Sequence, residues 1–252
     1  MKSQNIKKKN KAVMVTGAST GIGLEISRTL ATHGFNIAMT ARSAKKLEHI
    51  LTDPVFRKVD VIPIELELLS EKSIREAFQM ATAEFGRVSV LVNNAATALV
   101  KPAVDVTWND WDSVVNANLK GSYFLSSQFA KDCIESNESG SIVNIASTHG
   151  LLGFAGRSVY GTSKGGMIQM TRMLALEWAG NNIRVNTISP GTVMTDSRQQ
   201  SLNKAAQLKM LKRIPYGRFP EENDIAETVI YLIEAKNVTG QNIIIDGGMS
   251  AT

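Results

Sequence analysis

The stretch AVMVTGASTGIG, Ala12 to Gly23, decides the fold, because a short apolar run passes directly into a glycine-rich turn that opens an amphipathic segment. Gly17, Gly21 and Gly23 let the backbone approach a pyrophosphate, and the following helix N-terminus offers unpaired N–H groups and partial positive charge. The spacing is Gly-x-x-x-Gly-x-Gly rather than the common Gly-x-Gly-x-x-Gly, so a purely structural turn remains an alternative. The stretch predicts a strand, a dinucleotide-binding turn and a helix.

Apolar runs and amphipathic stretches alternate along the whole chain. The runs are apolar on both faces, which is typical of a parallel sheet covered by helices on both sides. The predicted strands are AVMVT, FNIAMT, VIPIEL, VSVLVN, SIVNIAS, IRVNTIS and QNIIIDGG. The predicted helices are Ile22 to His33, Ser70 to Phe85, Trp108 to Ile134, Ser158 to Ala179 and Glu221 to Ile233. The fold class is α/β, a single-domain doubly wound (Rossmann) parallel sheet of about seven strands with ligands at their carboxyl ends.

The composition fits one globular domain. Hydrophobic residues make up 43% of the 252 residues and charged residues 20%, so a large core can form without disulfides or metals. Cys133 is the only cysteine, which excludes an intramolecular disulfide framework and fits a reducing compartment. The histidines are scattered and form no ligand pattern, so no metal site is predicted.

The net charge of +5 comes from the N-terminal residues. Five lysines precede the first apolar run, and the rest of the chain is balanced; they are Lys2, Lys7, Lys8, Lys9 and Lys11. We interpret residues 1–11 as a disordered basic tail and 12–252 as the dinucleotide-binding and catalytic domain; a nucleic-acid or membrane patch is the alternative for the tail. The chain shows no signal-peptide core and no apolar run of roughly 18 residues. We therefore expect a soluble, cytoplasmic protein with no nucleic-acid or membrane partner.

A possible proton-handling group lies in the second half of the chain. Tyr160 and Lys164 are four residues apart in a predicted helix and share one face, and Ser147 ends the strand before them. A phenol has a pKa of about 10, so a tyrosine that exchanges protons needs a cationic neighbour, which Lys164 can supply. The structural alternative is a packed aromatic residue and a strand-end cap.

With these motifs in order, the chain resembles a short-chain dehydrogenase/reductase over essentially its whole length. Further matching motifs are NNAA at 93–96, NANLKG at 116–121, PGTVMT at 190–195 and the terminal DGG. Each alone has a structural explanation, but their shared order and spacing make the resemblance specific. The most similar branches are the 3-oxoacyl-carrier-protein reductases and the dehydrogenases of gluconate, sugars and polyols. The resemblance also implies a homotetramer.

The resemblance implies a role for each candidate catalytic residue. Tyr160 exchanges a proton with the carbonyl or alcohol oxygen, which Ser147 holds. Lys164 binds the nicotinamide ribose and lowers the tyrosine pKa, while Asn118 anchors a water that links Lys164 to solvent. His149 joins Ser147 and Tyr160 in the substrate site, with an exposed loop histidine as the alternative. The implied cofactor-binding residues are Gly17, Ser19, Thr20, Gly21, Ile22, Gly23, Arg42, Glu67, Leu68, Asn94, Tyr160, Lys164, Val193 and Thr195.

The end of the second predicted strand indicates which nicotinamide cofactor is used. An acidic residue at this corner favours the free 2′-hydroxyl of NAD(H), whereas an arginine accommodates the 2′-phosphate of NADP(H). Here Arg42 follows the strand, and no carboxylate is present, so NADP(H) is predicted; a plain surface arginine is the alternative. NAD(H) stays possible, because Thr20 stands where many NADP-using relatives have a basic residue. Glu67 and Ala96 also replace the usual aspartate and glycine.

These features predict an NADP(H)-dependent oxidoreductase that interconverts a ketone and a secondary alcohol. The acidic segment 132–138 and the uncharged turn 180–182 disfavour docking of an acidic carrier protein, so a free keto sugar, polyol or hydroxy ketone is favoured. The alternatives are a reductase of 3-oxoacyl thioesters on acyl carrier protein and a non-catalytic dinucleotide-binding sensor. Residues 192–215 are interpreted as a substrate lid, or else as an ordinary surface helix and loop.

Overall fold

The computed structural model describes residues 11–251, apart from the side chains at positions 197 and 201. The lysines at positions 2, 7, 8 and 9 lie outside this range, as does residue 252. The described residues contain one seven-stranded sheet in the order β3-β2-β1-β4-β5-β6-β7, with every neighbouring pair parallel. The strands are β1 (Ala12–Val15), β2 (Asn36–Ala41), β3 (Val61–Glu65), β4 (Val90–Asn93), β5 (Gly140–Ile145), β6 (Ile183–Pro190) and β7 (Asn242–Ile245). The predicted doubly wound fold is confirmed.

The long helices begin and end close to the predicted residues, because capping groups fix several of their ends. Before α3, the Ser70 hydroxyl accepts a hydrogen bond from the Ser73 N–H at 3.2 Å, and Gly86 ends the helix with a left-handed φ of 74°. The helices are α1 (Gly21–Thr32), α2 (Lys45–Glu48), α3 (Glu71–Phe85), α4 (Trp108–Val115), α5 (Ser122–Ser136), α6 (Ser158–Trp178), α7 (Asp196–Ser201), α8 (Lys204–Leu211) and α9 (Glu222–Glu234).

Helices cover both faces of the sheet and bury two apolar cores. Successive β1 residues point to opposite faces, so Met14 joins the core under α3, α5 and α6, while Val13 and Val15 join the core under α1 and α9. Burial of one such side chain stabilises the fold by about 1.5–3 kcal/mol. On α6 the residues at 167, 168, 170 and 174 are buried, whereas Met173 is 58% exposed. The sheet is therefore apolar on both faces, as the strand composition predicts.

The stretch predicted to be helical, Trp108 to Ile134, is helical throughout, but its middle is wider than an α-helix. A wider π-helical turn, Asn116–Gly121, separates α4 from α5. Gly121 lies against the loop after β3, where an added Cβ would be 2.5 Å from the Leu68 carbonyl oxygen. Asn118 is fully buried and points to the residues after β4, where it bonds to Thr97. The turn thus adapts the helix to two neighbouring loops, a tertiary cause that periodicity does not reveal.

The segment between β6 and α9 contains two short helices, α7 and α8, rather than one long element. Val193 and Ile214 are each 4% exposed and fix the two ends of the segment to the protein. No residue of α8 is buried. Within residues 11–251, no helix has the length and apolar character required to cross a membrane.

Candidate active site

A cleft of about 760 Å³ lies at the carboxyl ends of the strands. This is where open α/β sheets bind ligands, and its volume falls within the usual range for ligand pockets. Ser147 and His149 line it, as do all fourteen residues predicted to bind the cofactor: Gly17, Ser19, Thr20, Gly21, Ile22, Gly23, Arg42, Glu67, Leu68, Asn94, Tyr160, Lys164, Val193 and Thr195. Asn118 is not part of the lining and is completely buried.

The glycine-rich turn packs so tightly that side chains do not fit. Gly17 and Gly21 adopt left-handed φ angles of 65° and 54°, which L-residues with a Cβ rarely adopt. Gly23 has ordinary backbone angles, but an added Cβ would lie 2.3 Å from the Gly17 carbonyl oxygen and 2.4 Å from the Asn94 Nδ2. The first turn of α1 therefore packs directly against the residues that precede it, and Gly21, Ile22 and Gly23 line the cleft.

Two polar side chains hold this turn. The Asn94 Nδ2 donates to the carbonyl oxygens of Thr16 at 2.9 Å and Gly17 at 3.2 Å. The Thr16 hydroxyl accepts from the N–H groups of Asn94 and Ala95 at 2.9 and 3.0 Å. The conformation after β1 thus depends on the residues after β4. Sequence reasoning assigned Asn94 to the cofactor and overlooked Thr16, whose place before the first glycine was the available signal.

The cleft fits a nicotinamide dinucleotide. A helix N-terminus behind a glycine cradle binds a pyrophosphate, and the first turn of α1 contains no acidic residue to oppose it. Arg42 is exposed and lines the cleft beside the end of β2, and among residues 11–251 no carboxylate lies within 4 Å of it. The Glu67 Oε1 accepts from the Leu69 N–H at 3.0 Å, so this carboxylate shapes its own loop.

Tyr160 and Ser147 meet in the same cleft. Burial raises the pKa of Tyr160, and the hydrogen bond from Ser147 and the charges of Arg157 and Arg198 oppose that rise only in part. We expected Lys164 to lower the pKa of Tyr160, but burial has the larger effect and raises this pKa. Sequence spacing brings the lysine near the tyrosine but does not reveal that the phenol is partly buried in the cleft wall.

Lys164 is almost completely buried below the tyrosine. Its Nζ lies 5.9 Å from the centre of the Tyr160 ring and donates a hydrogen bond to the Ile145 carbonyl oxygen at 2.7 Å. Burial lowers the pKa of Lys164 to about 7. Burial therefore makes the charged form of this amine less favourable, and an anionic or hydrogen-bond-accepting group that contacts it would favour the charged form again.

Asn118 connects the Tyr160 helix to the loop after β4. Its Oδ1 accepts from the Thr97 N–H at 2.7 Å, and its Nδ2 donates to the Thr97 carbonyl oxygen at 2.9 Å and the Ser163 hydroxyl at 3.0 Å. The Ser163 hydroxyl in turn donates to the Tyr160 carbonyl oxygen at 2.7 Å. Both amide hydrogens are thus used, and one Oδ1 lone pair remains for a water.

His149 lies between two rings beside the catalytic candidates. It stacks on Phe154 at 4.2 Å between ring centres and meets the Tyr160 ring edge-on at 5.6 Å. Its Nδ1 is 3.1 Å from the Ser147 hydroxyl. Burial, with a smaller contribution from the charges of three arginines, lowers the pKa of His149 to about 4, so the imidazole is neutral at pH 7.

Sequence reasoning missed those arginines, which are Arg157, Arg198 and Arg213. Arg157 occupies the N-cap of α6, three residues before Tyr160, and it lines the cleft. That spacing was a signal that could have identified it. The other two come from the segment after β6 and approach only through tertiary structure.

Comparisons with known proteins agree with this geometry. The family model described as Enoyl-(Acyl carrier protein) reductase matches residues 17–250. The 3-oxoacyl-(acyl-carrier-protein) reductase FabG of Staphylococcus epidermidis is 35% identical over 243 residues, covering 95% of this chain and 99% of that protein. The chain belongs to the short-chain dehydrogenase/reductase family. The resemblance inferred from the motifs is confirmed.

Other members of the short-chain dehydrogenase/reductase family differ in their named substrates. The D-threitol dehydrogenase of Mycolicibacterium smegmatis is 32% identical over 240 residues, covering 94% of this chain and 92% of that protein. A putative short-chain alcohol dehydrogenase from Sinorhizobium meliloti superposes with a TM-score of 0.90 at 34% identity, covering 96% and 97% of the two chains. A levodione reductase has a TM-score of 0.90 at 27% identity, covering 96% and 98%. The protein is thus an NAD(P)-dependent oxidoreductase of this family.

Proposed function

We propose that this enzyme uses NADP(H) to interconvert a ketone and a secondary alcohol on a free small molecule. The observation that carries the proposal is the meeting of Tyr160, Ser147 and Lys164 in the cleft that the glycine turn opens into. A bound nicotinamide donates or accepts the hydride, and the protein's residues orient the reactants and handle the proton.

Each residue then has a distinct task. The Ser147 hydroxyl binds the substrate oxygen, and the Tyr160 phenol donates its proton to that oxygen in reduction or accepts it in oxidation. A charged Lys164 offsets the high pKa of the buried phenol and binds the ribose hydroxyls. Asn118 holds α6 against the loop at Thr97 and offers its free lone pair to a water on the path from Lys164 to solvent. His149 forms a neutral wall of the substrate site.

Two observations favour different substrates. At the end of α5, the acidic residues Asp132, Glu135 and Glu138 outnumber Lys131 and Arg87, which pair with the two glutamates. This weakly acidic surface disfavours an acidic carrier protein and supports a free keto sugar, polyol or hydroxy ketone. The identity of 35% to FabG over 95% of the chain supports 3-oxoacyl thioesters as the second candidate.

The deciding experiment measures NADPH oxidation with ketones, keto sugars and 3-oxoacyl thioesters, the last both free and on acyl carrier protein. We expect the highest kcat/KM for a free hydroxy ketone or keto sugar. Preference for the carrier-bound thioester would replace the first candidate with the second. NADPH binding without turnover of any carbonyl would instead support a dinucleotide sensor.

Arg42 provides the test of cofactor preference. Arg42→Ala should raise the KM for NADPH about 10–100-fold, the loss expected for hydrogen bonds to a charged group, and leave the KM for NADH within a few-fold. Steady-state kinetics with both cofactors measure this. Arg57→Ala removes an exposed arginine outside the cleft and serves as the matched control. A wild-type preference for NADH would contradict the proposal.

We also infer that the enzyme assembles as a homotetramer. Large apolar side chains are exposed on the two long helices α5 and α6, including Phe124 at 49%, Met173 at 58% and Leu176 at 80%. A second copy of the chain would bury such a surface. Light scattering coupled to size exclusion should give four times the chain mass of 27.4 kDa. Leu176→Glu should lower the measured mass, because it places a charge on the exposed apolar surface. A wild-type protein with the mass of a monomer would refute the tetramer.

A further inference from the structure

Three arginines from three separate segments surround His149, whose ring contacts the candidate catalytic tyrosine. Arg157 precedes α6, Arg198 lies on α7, and Arg213 follows α8. Arg157 and Arg198 line the cleft together with Tyr160. The Arg213 guanidinium lies 4.9 Å from the centre of the Phe154 ring, which stacks in turn on His149. A single helix face cannot produce this grouping, so it is a property of the tertiary structure.

Two of these arginines, Arg157 and Arg213, lack a close carboxylate partner: within residues 11–251, no carboxylate lies within 4 Å of either. The Arg157 Nη1 donates a long hydrogen bond of 3.4 Å to the Leu99 carbonyl oxygen. The described acidic residues that line the cleft are Asp196 and Glu67, and the Glu67 carboxylate accepts a hydrogen bond from the Leu69 N–H. The grouping of like charges costs free energy that an anion would recover.

We propose that this cluster binds an oxyanion, a carboxylate or a phosphate, carried by the substrate. A guanidinium matches either group with two parallel hydrogen bonds, and Arg is the residue best suited to such recognition. The neutral rings of His149 and Phe154 would contact the carbon skeleton between the anion and the carbonyl. The inference rests on the proposed function and narrows its substrate to an anionic hydroxy or keto compound, such as a keto acid or a sugar phosphate.

A substitution at Arg157 can test binding of the substrate anion without disturbing binding of the cofactor phosphates. The start of α7 lies near the glycine turn, where a Cβ on Gly21 would be 3.1 Å from the Thr195 Cγ2, so the helix that carries Arg198 begins beside the residues proposed to hold the cofactor phosphates. Arg157 instead bonds to the loop after β4, on the Tyr160 side of the cleft. Its charge also acts on the pKa of both Tyr160 and His149. Arg157 is therefore the residue to change.

The test compares matched pairs of ketones that differ only in charge, namely keto acids with their methyl esters and keto sugar phosphates with the free sugars. The wild-type enzyme should show a higher kcat/KM for the charged member of each pair. The pair with the larger ratio of charged to neutral kcat/KM identifies whether the site prefers a carboxylate or a phosphate. Arg157→Gln should lower the ratio of charged to neutral kcat/KM about 10–100-fold, mainly through KM, because hydrogen bonds to a charged group are lost. The KM for NADPH should change less than threefold. Arg157→Lys should restore part of the ratio.

Arg172→Gln is the control, since it removes an exposed arginine from the same helix without touching the cleft. A second readout uses malonate and inorganic phosphate, which should raise the Tm of wild type with bound NADP⁺ more than that of Arg157→Gln. An unchanged charge ratio in Arg157→Gln, with ketones still reduced, would overturn the anion site and leave the proposed function standing. Absence of turnover with every ketone would refute the proposed function; the Tm shift would then decide the anion site alone.

Discussion

Tyr160→Phe is expected to lower kcat about 10²–10⁴-fold, the range that one general acid or base contributes, with NADPH binding retained. The ring stays in place against His149, so its packing survives, and only the proton that the phenol exchanges is lost. Without it, the oxygen of the reduced carbonyl must take its proton from water. Single-turnover NADPH oxidation isolates this step, and fluorescence titration of NADPH reports binding separately.

Tyr231→Phe is the matched control, because this tyrosine is 53% exposed on α9 and distant from the cleft lining. Ser147→Ala should cost less than Tyr160→Phe, since it removes a hydrogen bond to the substrate oxygen but leaves the proton donor. If Tyr160→Phe turned over within a few-fold of wild type, the tyrosine would not be the acid, and the proposed chemistry would fail.

The strands and the residues that line the cleft were accessible from sequence for different physical reasons. The strands are short apolar runs in a βα repeat, which a parallel sheet requires on both faces. Tyr160 and Lys164 lie in a motif whose spacing fixes them on one helix face. Such local patterns can be recognised in the sequence without knowledge of the tertiary structure.

Features that arise from tertiary contacts could not be predicted in this way. The π-helical turn at Asn118 reflects hydrogen bonds to Thr97 and the close approach of Gly121 to Leu68. The raised pKa of Tyr160 and the lowered pKa of Lys164 depend on burial. The arginines around His149 are more than fifty residues apart in the chain at their extremes and meet only after folding.

Gly23→Ala should have the second large effect, on both cofactor binding and stability. An added Cβ would lie 2.3 Å from the Gly17 carbonyl oxygen and 2.4 Å from the Asn94 Nδ2. Gly17 cannot move away from this contact, because Ala95 packs against its other side: a Cβ built on Gly17 would lie 2.9 Å from the Ala95 Cα. The turn must therefore open and break the hydrogen bonds from Asn94 that hold it.

Opening the turn moves the N–H groups at the start of α1 away from the pyrophosphate. We expect the NADPH affinity to fall at least about 100-fold, the loss of roughly two hydrogen bonds to a charged group. Overpacking should lower the free energy of unfolding by about 1–3 kcal/mol. Fluorescence titration and denaturant unfolding measure the two effects. Gly180→Ala is the control, since no atom lies within 4 Å of its added Cβ. Retention of NADPH affinity in Gly23→Ala would show that the turn does not cradle the cofactor.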